Sequence, residues 1–178
     1  MRKLTLSVVA GLVAMAASAQ AQAGNPVSDA LRASVTGAER NLVSAAGLMP
    51  ADKYGYHPTE AQMTFGQLVL HVATSNEYMC HNISGVAAPT EAKPTPTSPK
   101  DELVARMKRS FAYCTDAFAK LTDAGLSEEV PFFGGRKVTR AAEMMDLAAD
   151  WADHYGQAAN YLRMNGILPP TARGRWGM

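Results

Sequence analysis

The sequence predicts an all-α protein, a four-helix bundle with one longer connection between its second and third helices. Two observations indicate this fold class. Four segments carry apolar residues at steps of three and four, which is the spacing of one helix face. Capping residues, glycines and prolines bound each of these segments. Residues 24–178 carry no internal repeat and are predicted to form a single domain of ordinary size.

A cleavable signal peptide is predicted for residues 1–23. Arg2 and Lys3 give it a positive start, and an apolar run from Leu4 to Ala17 follows. Two Ala-x-Ala sites come next, at 17–19 and 19–21, and both suit a signal peptidase. An uncleaved membrane anchor is the alternative, but the apolar run is short for a hydrocarbon layer about 30 Å thick. We therefore expect a periplasmic or secreted protein.

The charge balance argues against nucleic-acid and membrane partners. The whole chain has 17 Lys and Arg against 16 Asp and Glu. Cleavage after residue 23 would remove two basic residues and no acidic ones, which leaves 15 against 16 and a formal charge of −1. No basic patch is then expected to attract a nucleic acid or an anionic membrane. We expect a small-molecule substrate as the partner, with a homodimer as a further option.

Helix one is predicted from about Pro26 to Ala46. Asn25 is expected to cap its start, Pro26 suits the first helical position, and Gly47 suits the position just past the end. Its apolar residues form one stripe: Leu31, Val35, Ala38, Leu42 and Ala45.

Helix two is predicted from a capping box at Thr64 and Gln67. The Thr64 hydroxyl can accept from the amide of Gln67 while the Gln67 side chain reaches back to the Thr64 amide. The helix should end near Ser84, with Gly85 as its stop. Residues 86–97 are rich in Ala, Pro and Thr, and we expect them to connect the two halves of the bundle.

Helix three is predicted to begin with Ser98 as cap and Pro99 in the first helical position, and Gly125 is expected to close it. Residues 130–138 contain a Gly-Gly pair flanked by apolar residues, which indicates a small hairpin or an irregular turn. Helix four should run from about Thr139 to Asn165 and stop at Gly166.

Cys80 and Cys114 are the only cysteines of the chain. In an oxidising compartment a single disulfide between them is the natural inference, with two buried free thiols as the alternative. Cys80 lies nine residues after His71, half a turn out of phase on a helix, so it points away from any site built on His71. This phase favours a disulfide over metal binding.

A candidate metal site combines His71 of helix two with Asp150 and His154 of helix four. The spacing of four residues brings Asp150 and His154 onto one helix face. Two imidazoles and a carboxylate suit Zn²⁺, Ni²⁺, Mn²⁺ or Fe²⁺ and leave coordination positions open for water. A surface ion pair and a core histidine are the structural alternatives. Of the neighbouring acids, Glu143 and Asp146 are expected on a solvated face, with support of the metal ligands as the alternative.

Two segments resemble DinB-like proteins. Residues 154–157 (His-Tyr-Gly-Gln) and 161–170 (Tyr-Leu-Arg-Met-Asn-Gly-Ile-Leu-Pro-Pro) are similar to the C-terminal signature of this family. Residues 53–59 (Lys-Tyr-Gly-Tyr-His-Pro-Thr) and 65–71 (Phe-Gly-Gln-Leu-Val-Leu-His) resemble the loop and the start of its metal-binding second helix. The similarity extends over about residues 25–172.

The resemblance implies a four-helix bundle with a divalent metal held by one histidine on helix two and an H-x-x-x-H pair on helix four. His71 matches the first of these ligands and His154 matches the second histidine of the pair. Asp150 stands where the first histidine of the pair would be, and its side chain is a competent but shorter ligand. The family includes thiol-dependent transferases and isomerases, which implies chemistry on a small molecule.

Two functions are consistent with these features. In the first, a metal-activated water or thiolate attacks a small electrophile between helices two and four, with Ser75 or Tyr78 orienting the substrate; this covers hydrolysis and thiol transfer. Export makes a cytosolic thiol cofactor a poor match. In the second, the chain is a non-catalytic periplasmic binding or stress-related bundle whose metal site has degraded.

Overall fold

The computed structural model describes residues 24–90 and 94–173, and these residues form four α-helices and one two-stranded hairpin. Helix α2 packs most extensively against α3, and α1 packs against α4. None of the helices in the described part of the chain is long and apolar enough to cross a membrane. The elements are α1 (Pro26–Leu48), α2 (Phe65–Ser84), α3 (Lys100–Phe118), β1 (Glu129–Pro131), β2 (Lys137–Thr139) and α4 (Arg140–Met164).

The predicted signal peptide, residues 1–23, lies outside the described residues. Its cleavage and the resulting boundary at residue 24 stay predictions from the sequence.

Helix α1 differs from the prediction at both of its ends. It continues through Gly47 to Leu48. The next residue, the buried Met49, is extended, and its amide still donates to the Ala45 carbonyl. At the start, the Asn25 side chain makes no capping hydrogen bond. The cap is Asp123, whose carboxylate accepts from the amides of Val27 at 3.1 Å and Ser28 at 2.9 Å.

Helix α2 has the predicted start and stop. Thr64 Oγ1 accepts from the amide of Gln67 at 3.2 Å, and Gln67 Oε1 accepts from the amide of Thr64 at 2.7 Å. Gly85 follows the helix with φ +74°, a left-handed conformation in which a side chain would be strained. The capping box and the glycine stop are confirmed.

Helix α3 begins later and ends earlier than predicted. Ser98 does not cap it, because the Ser98 hydroxyl accepts from the amide of Thr95 at 3.1 Å. The helix ends at Phe118, and Gly125 lies beyond it in a short 3₁₀ turn. Arg32 of α1 donates to the carbonyls of Phe118 and Leu121, both at 2.9 Å. The carbonyls at and just beyond the end of α3, which lack partners within the helix, therefore accept hydrogen bonds from Arg32 of α1.

Residues 130–138, predicted to form a small hairpin or an irregular turn, form a hairpin that joins α3 to α4. Its strands are antiparallel, with Val130 opposite Val138, and its turn contains Gly134 and Gly135 at φ +69° and +73°. Helix α4 then starts where expected, since Thr139 Oγ1 accepts from the amide of Ala142 at 3.2 Å.

Buried polar groups and a disulfide link α2 to α3 and α4. Cys80 and Cys114 are bonded across α2 and α3, with 5.4 Å between their Cα atoms, so the predicted disulfide is confirmed. Next to it, Asn76 accepts from Trp151 Nε1 at 2.7 Å and donates to Ser110 Oγ at 3.0 Å. The hydrogen bond from Trp151 ties α2 to α4, the pair of helices that carries the candidate site, and the one to Ser110 ties α2 to α3.

Candidate metal centre

The candidate site lies between α2 and α4, which run in opposite directions. Near the start of α2, His71 meets His154 in the second half of α4, with ring centroids 4.7 Å apart. Near the end of α2, Asn82 Nδ2 donates to Glu143 Oε1 at 3.2 Å, close to the start of α4. The face that α4 turns toward α2 therefore carries Glu143, Asp150 and His154 at steps of seven and four residues.

The structure brings the three predicted residues together. One ligand atom each from His71, Asp150 and His154 lies within 4.8 Å of the others. Bonds of about 2.1 Å at tetrahedral angles would place such atoms roughly 3.4 Å apart, so the widest separation would have to close by no more than about 1.4 Å. Their role as ligands stays a prediction.

Asp150 has one oxygen paired and one left open. His154 Nε2 lies 3.1 Å from Asp150 Oδ1. Asp150 Oδ2 is buried and has no hydrogen-bond partner among the described residues. A buried carboxylate oxygen without a partner is costly, and a cation would satisfy it. A divalent ion therefore fits this donor set.

The pKa values of the two imidazoles shift in opposite directions. Burial and the nearby His154 lower the pKa of His71 and outweigh the attraction of Asp150, which raises it. The neutral ring, which is the form that binds a metal, is therefore favoured at pH 7. For His154 burial also disfavours the charged form, but the hydrogen bond and charge of Asp150 outweigh it and raise the pKa. A metal bound at His154 Nε2 would therefore compete with the contact to Asp150 Oδ1.

The other two histidines take no part in the cluster. His57 and His81 are exposed, and each places Nδ1 near a backbone carbonyl, 2.7 Å from Thr59 and 2.8 Å from Val86. They are useful reference positions, since their imidazoles lie outside the site.

Glu143 corrects the expectation of a solvated face. Its side chain is 0% exposed, and its Oε2 is buried with no hydrogen-bond partner among the described residues. Burial, only partly offset by the hydrogen bond from Asn82, raises the pKa of Glu143 to about 7. The signal was present in the sequence: Glu143 precedes Leu147, Asp150 and His154 on one helix face. Asp146 is exposed, as expected.

A cleft of about 590 Å³ opens beside the cluster, and His71 belongs to both. Thr74, Ser75 and Tyr78 of α2 line one side of the cleft, the hairpin lines the other, and the two sides meet at Tyr78 and Phe133. Tyr78 stacks on Phe133 with ring centroids 4.6 Å apart. Ser75 and Tyr78, which the sequence suggested as substrate-orienting groups, both line this cleft.

Four helices with a His-Asp-His cluster between the second and the fourth place the chain in the class of helical-bundle proteins with a candidate metal centre. The sequence model of the DinB superfamily matches residues 35–158, more than half of the chain. The chain belongs to the DinB superfamily, as the resemblance predicted. No curated protein matches it significantly.

Solved structures show the same fold. A DinB-like protein from Bacillus subtilis is 26% identical with a TM-score of 0.64, over 78% of this chain and 94% of that one. A DinB-like protein from Bacillus cereus is 19% identical with a TM-score of 0.65, over 80% and 95%. A mycothiol-dependent maleylpyruvate isomerase is 17% identical with a TM-score of 0.59, over 72% of this chain and 59% of that one.

Proposed function

We propose that this DinB-superfamily chain is an exported enzyme that binds a divalent metal ion through His71, Asp150 and His154. It would act on a small molecule by hydrolysis or by thiol transfer. The observation that carries the proposal is the unpartnered, buried Oδ2 of Asp150, within reach of two imidazoles at the side of a cleft.

The donor set narrows the metal to a group of ions. Two imidazoles and one carboxylate suit Zn²⁺, Ni²⁺, Mn²⁺ and Fe²⁺. When bound, such an ion supplies Lewis acidity, which polarises a carbonyl and activates a water or a thiol. The chain would hold the ion at the cleft, and the Ser75 and Tyr78 side chains lining the same cleft would orient the substrate.

Two considerations bear on the reaction. The similar isomerase structure depends on mycothiol, so this fold can serve thiol chemistry in another protein. The signal-like residues 1–23 instead favour hydrolysis, because a cytosolic thiol would not accompany an exported protein. Of the two reactions, hydrolysis is the one we favour.

Export is part of the proposal. It is supported by the N-terminal sequence and by the disulfide between Cys80 and Cys114, which is typical of proteins in oxidising compartments. We propose a periplasmic or secreted location, a small-molecule partner and no nucleic-acid or membrane partner after cleavage. A homodimer is compatible with this proposal.

A non-catalytic binding protein is the second candidate, and one contact favours it. His154 Nε2 already pairs with Asp150 Oδ1 at 3.1 Å, so part of the site is stabilised without an ion. In this case the aspartate in place of histidine would mark a site that has lost its metal.

A thermal melt of metal-stripped protein with added Zn²⁺ or Ni²⁺ separates the two candidates. An ion at 100 to 1,000 times its dissociation constant would stabilise the native state by about 3–4 kcal/mol, or roughly 5–15 °C for a domain of this size. His71→Ala should abolish the shift, since this exposed side chain contributes a ligand and no core packing. His57→Ala is the matched control and should keep it.

Two outcomes would contradict the proposal. A wild-type protein that melts at the same temperature with and without metal would leave the non-catalytic candidate. A shift that survives in His71→Ala would show that the ion binds elsewhere.

A further inference from the structure

We propose that the cleft between α2 and the hairpin binds a small aromatic acid, with its ring on the Tyr78–Phe133 wall and its carboxylate at Arg136. This deepens the proposed function by naming the substrate class that would be presented to the metal centre. It depends on three features of the cleft: its aromatic wall, its charge and its contact with His71.

The aromatic wall is a row of three rings that runs from α2 to the hairpin. Tyr78 stacks on Phe133 at 4.6 Å, and Phe133 meets Phe132 edge to face at 5.2 Å. Phe133 is 46% exposed although it belongs to this wall. An aromatic surface left half in water is stabilised by a flat apolar ligand that covers it.

The charge of the cleft favours an anion. Arg136 and Lys137 are among its lining residues, and no aspartate or glutamate lines it in the described part of the chain. The Arg136 guanidinium lies 4.8 Å from the Phe132 ring centroid, and its Nε donates to the Phe133 carbonyl at 3.3 Å. No carboxylate of the described residues pairs with Arg136, so its terminal nitrogens can bind a ligand carboxylate bidentately.

Lys137 contributes less than Arg136. Its Nζ lies 4.0 Å from Glu129 Oε2, and both side chains are 68% exposed. An exposed pair of this kind is weak and screened by salt, so Lys137 adds a diffuse positive charge at the rim. Arg136 is the residue that fixes the acid.

The length and volume of the cleft allow one ligand to lie on the aromatic wall and extend toward the metal centre. His71 and Tyr78 are seven residues apart on α2, roughly 10 Å along the helix axis. A volume of about 590 Å³ lies within the usual range for a small-molecule pocket. A ligand with two fused rings would therefore reach from the aromatic wall toward His71.

The test is calorimetric titration of metal-stripped protein with 2-naphthoate and with its neutral counterpart, 2-naphthalenemethanol. The acid should bind about tenfold more tightly than the alcohol, because only the acid makes a charge-assisted bidentate contact. Arg136→Gln should remove this preference, and Arg136→Lys should retain part of it. Arg163→Gln, an exposed arginine of α4 that does not line the cleft, is the matched control.

A second variant tests the aromatic wall. Phe133→Ala should weaken both ligands by about tenfold, since it removes the ring on which they stack, and Phe133→Leu should weaken them less. Near-ultraviolet circular dichroism and amide NMR spectra of each variant would show that the hairpin remains folded.

Three results would overturn the cleft proposal: no binding of 2-naphthoate by the wild-type protein, equal affinity for acid and alcohol, or a preference that survives Arg136→Gln. Because the titration is done without metal, its failure is distinct from failure of the metal centre. Protein that prefers the acid but never takes up Zn²⁺ would refute the metal centre alone. Protein that takes up Zn²⁺ without this preference would refute the cleft alone.

Discussion

Asp150 shows what the sequence could and could not predict about a single residue. The spacing of four residues placed it beside His154, and the structure pairs the two at 3.1 Å. The candidate site also included His71 on another helix, where spacing has no power, and the resemblance gave His71 the same role. Neither the spacing nor the resemblance could predict the unpartnered Oδ2 of Asp150, because it depends on how α2 and α4 are rotated against each other.

Glu143 is buried where a solvated position was expected, and it carries the first prediction. Its folded pKa is about 7, against 4.5 for the ordinary side chain, so the native state holds a proton that the unfolded state releases. The stability from this proton is present below pH 4.5 and is lost as the pH rises through 7. The loss is on the order of 3 kcal/mol.

Glu143→Gln keeps the acceptor for Asn82 and removes the titration. Urea unfolding between pH 5 and 8 should therefore give a free energy of unfolding that falls less steeply with pH than in the wild type. Glu102→Gln, in the exposed first turn of α3, should leave the wild-type slope unchanged. Equal slopes in wild type and Glu143→Gln would contradict this account of Glu143.

The elements were predicted well where their capping partners are close in sequence. Thr64 with Gln67 and Thr139 with Ala142 are both three residues apart, and both caps are present. Asn25 and Ser98 were assigned caps by residue type, and both assignments were wrong. In each case the side chain makes another hydrogen bond instead. Asn25 Oδ1 accepts from the amide of Asp123 at 2.9 Å, and Ser98 Oγ accepts from the amide of Thr95.

Asp123 is the long-range cap of α1, and it carries the second prediction. Burial alone would raise its pKa, but hydrogen bonds from Ser28 and Val27 and the charge of Arg32 lower it. The stability that Asp123 contributes is therefore present above its unfolded pKa near 3.8 and is lost as the pH falls through the lower folded value.

Asp123→Ala should lower the melting temperature at pH 7 by several degrees, since two amides at the start of α1 lose their acceptor. The difference from wild type should shrink as the pH falls below about 4. Asp116→Ala, at an exposed position on α3, serves as the comparison and should melt like the wild type. A variant that matches the wild type at pH 7 would show that the cap contributes nothing.

At the scale of the whole molecule, the bundle and its disulfide followed from the sequence. Periodicity predicted four helices, and helical phase pointed Cys80 away from His71 toward another partner. The tilt of the helices and the resulting cleft could not be predicted, because they depend on packing among α2, α4 and the hairpin. The buried pair of Arg106 and Glu77, joined at 2.5 Å between α3 and α2, is a further feature without a local signal.

The disulfide gives the third prediction. It joins residues separated by 34 positions and, in the chain-entropy model, stabilises the fold by about 3–4 kcal/mol. Cys80→Ala combined with Cys114→Ala should lower the free energy of unfolding by this order and leave the helical circular dichroism spectrum unchanged at 20 °C. The measurement is urea unfolding, with reduced wild-type protein as a reference. Unchanged stability would show that helix packing alone determines the fold.

The central claim is a metal ion shared by His71, Asp150 and His154, and elemental analysis of protein purified without an affinity tag tests it most directly. Wild-type protein should contain about one divalent ion per chain. Asp150→His, which restores an H-x-x-x-H pair, should keep the ion, and Asp150→Ala should retain only a small fraction of it. Wild-type protein without metal, or Asp150→Ala with full metal content, would contradict the claim.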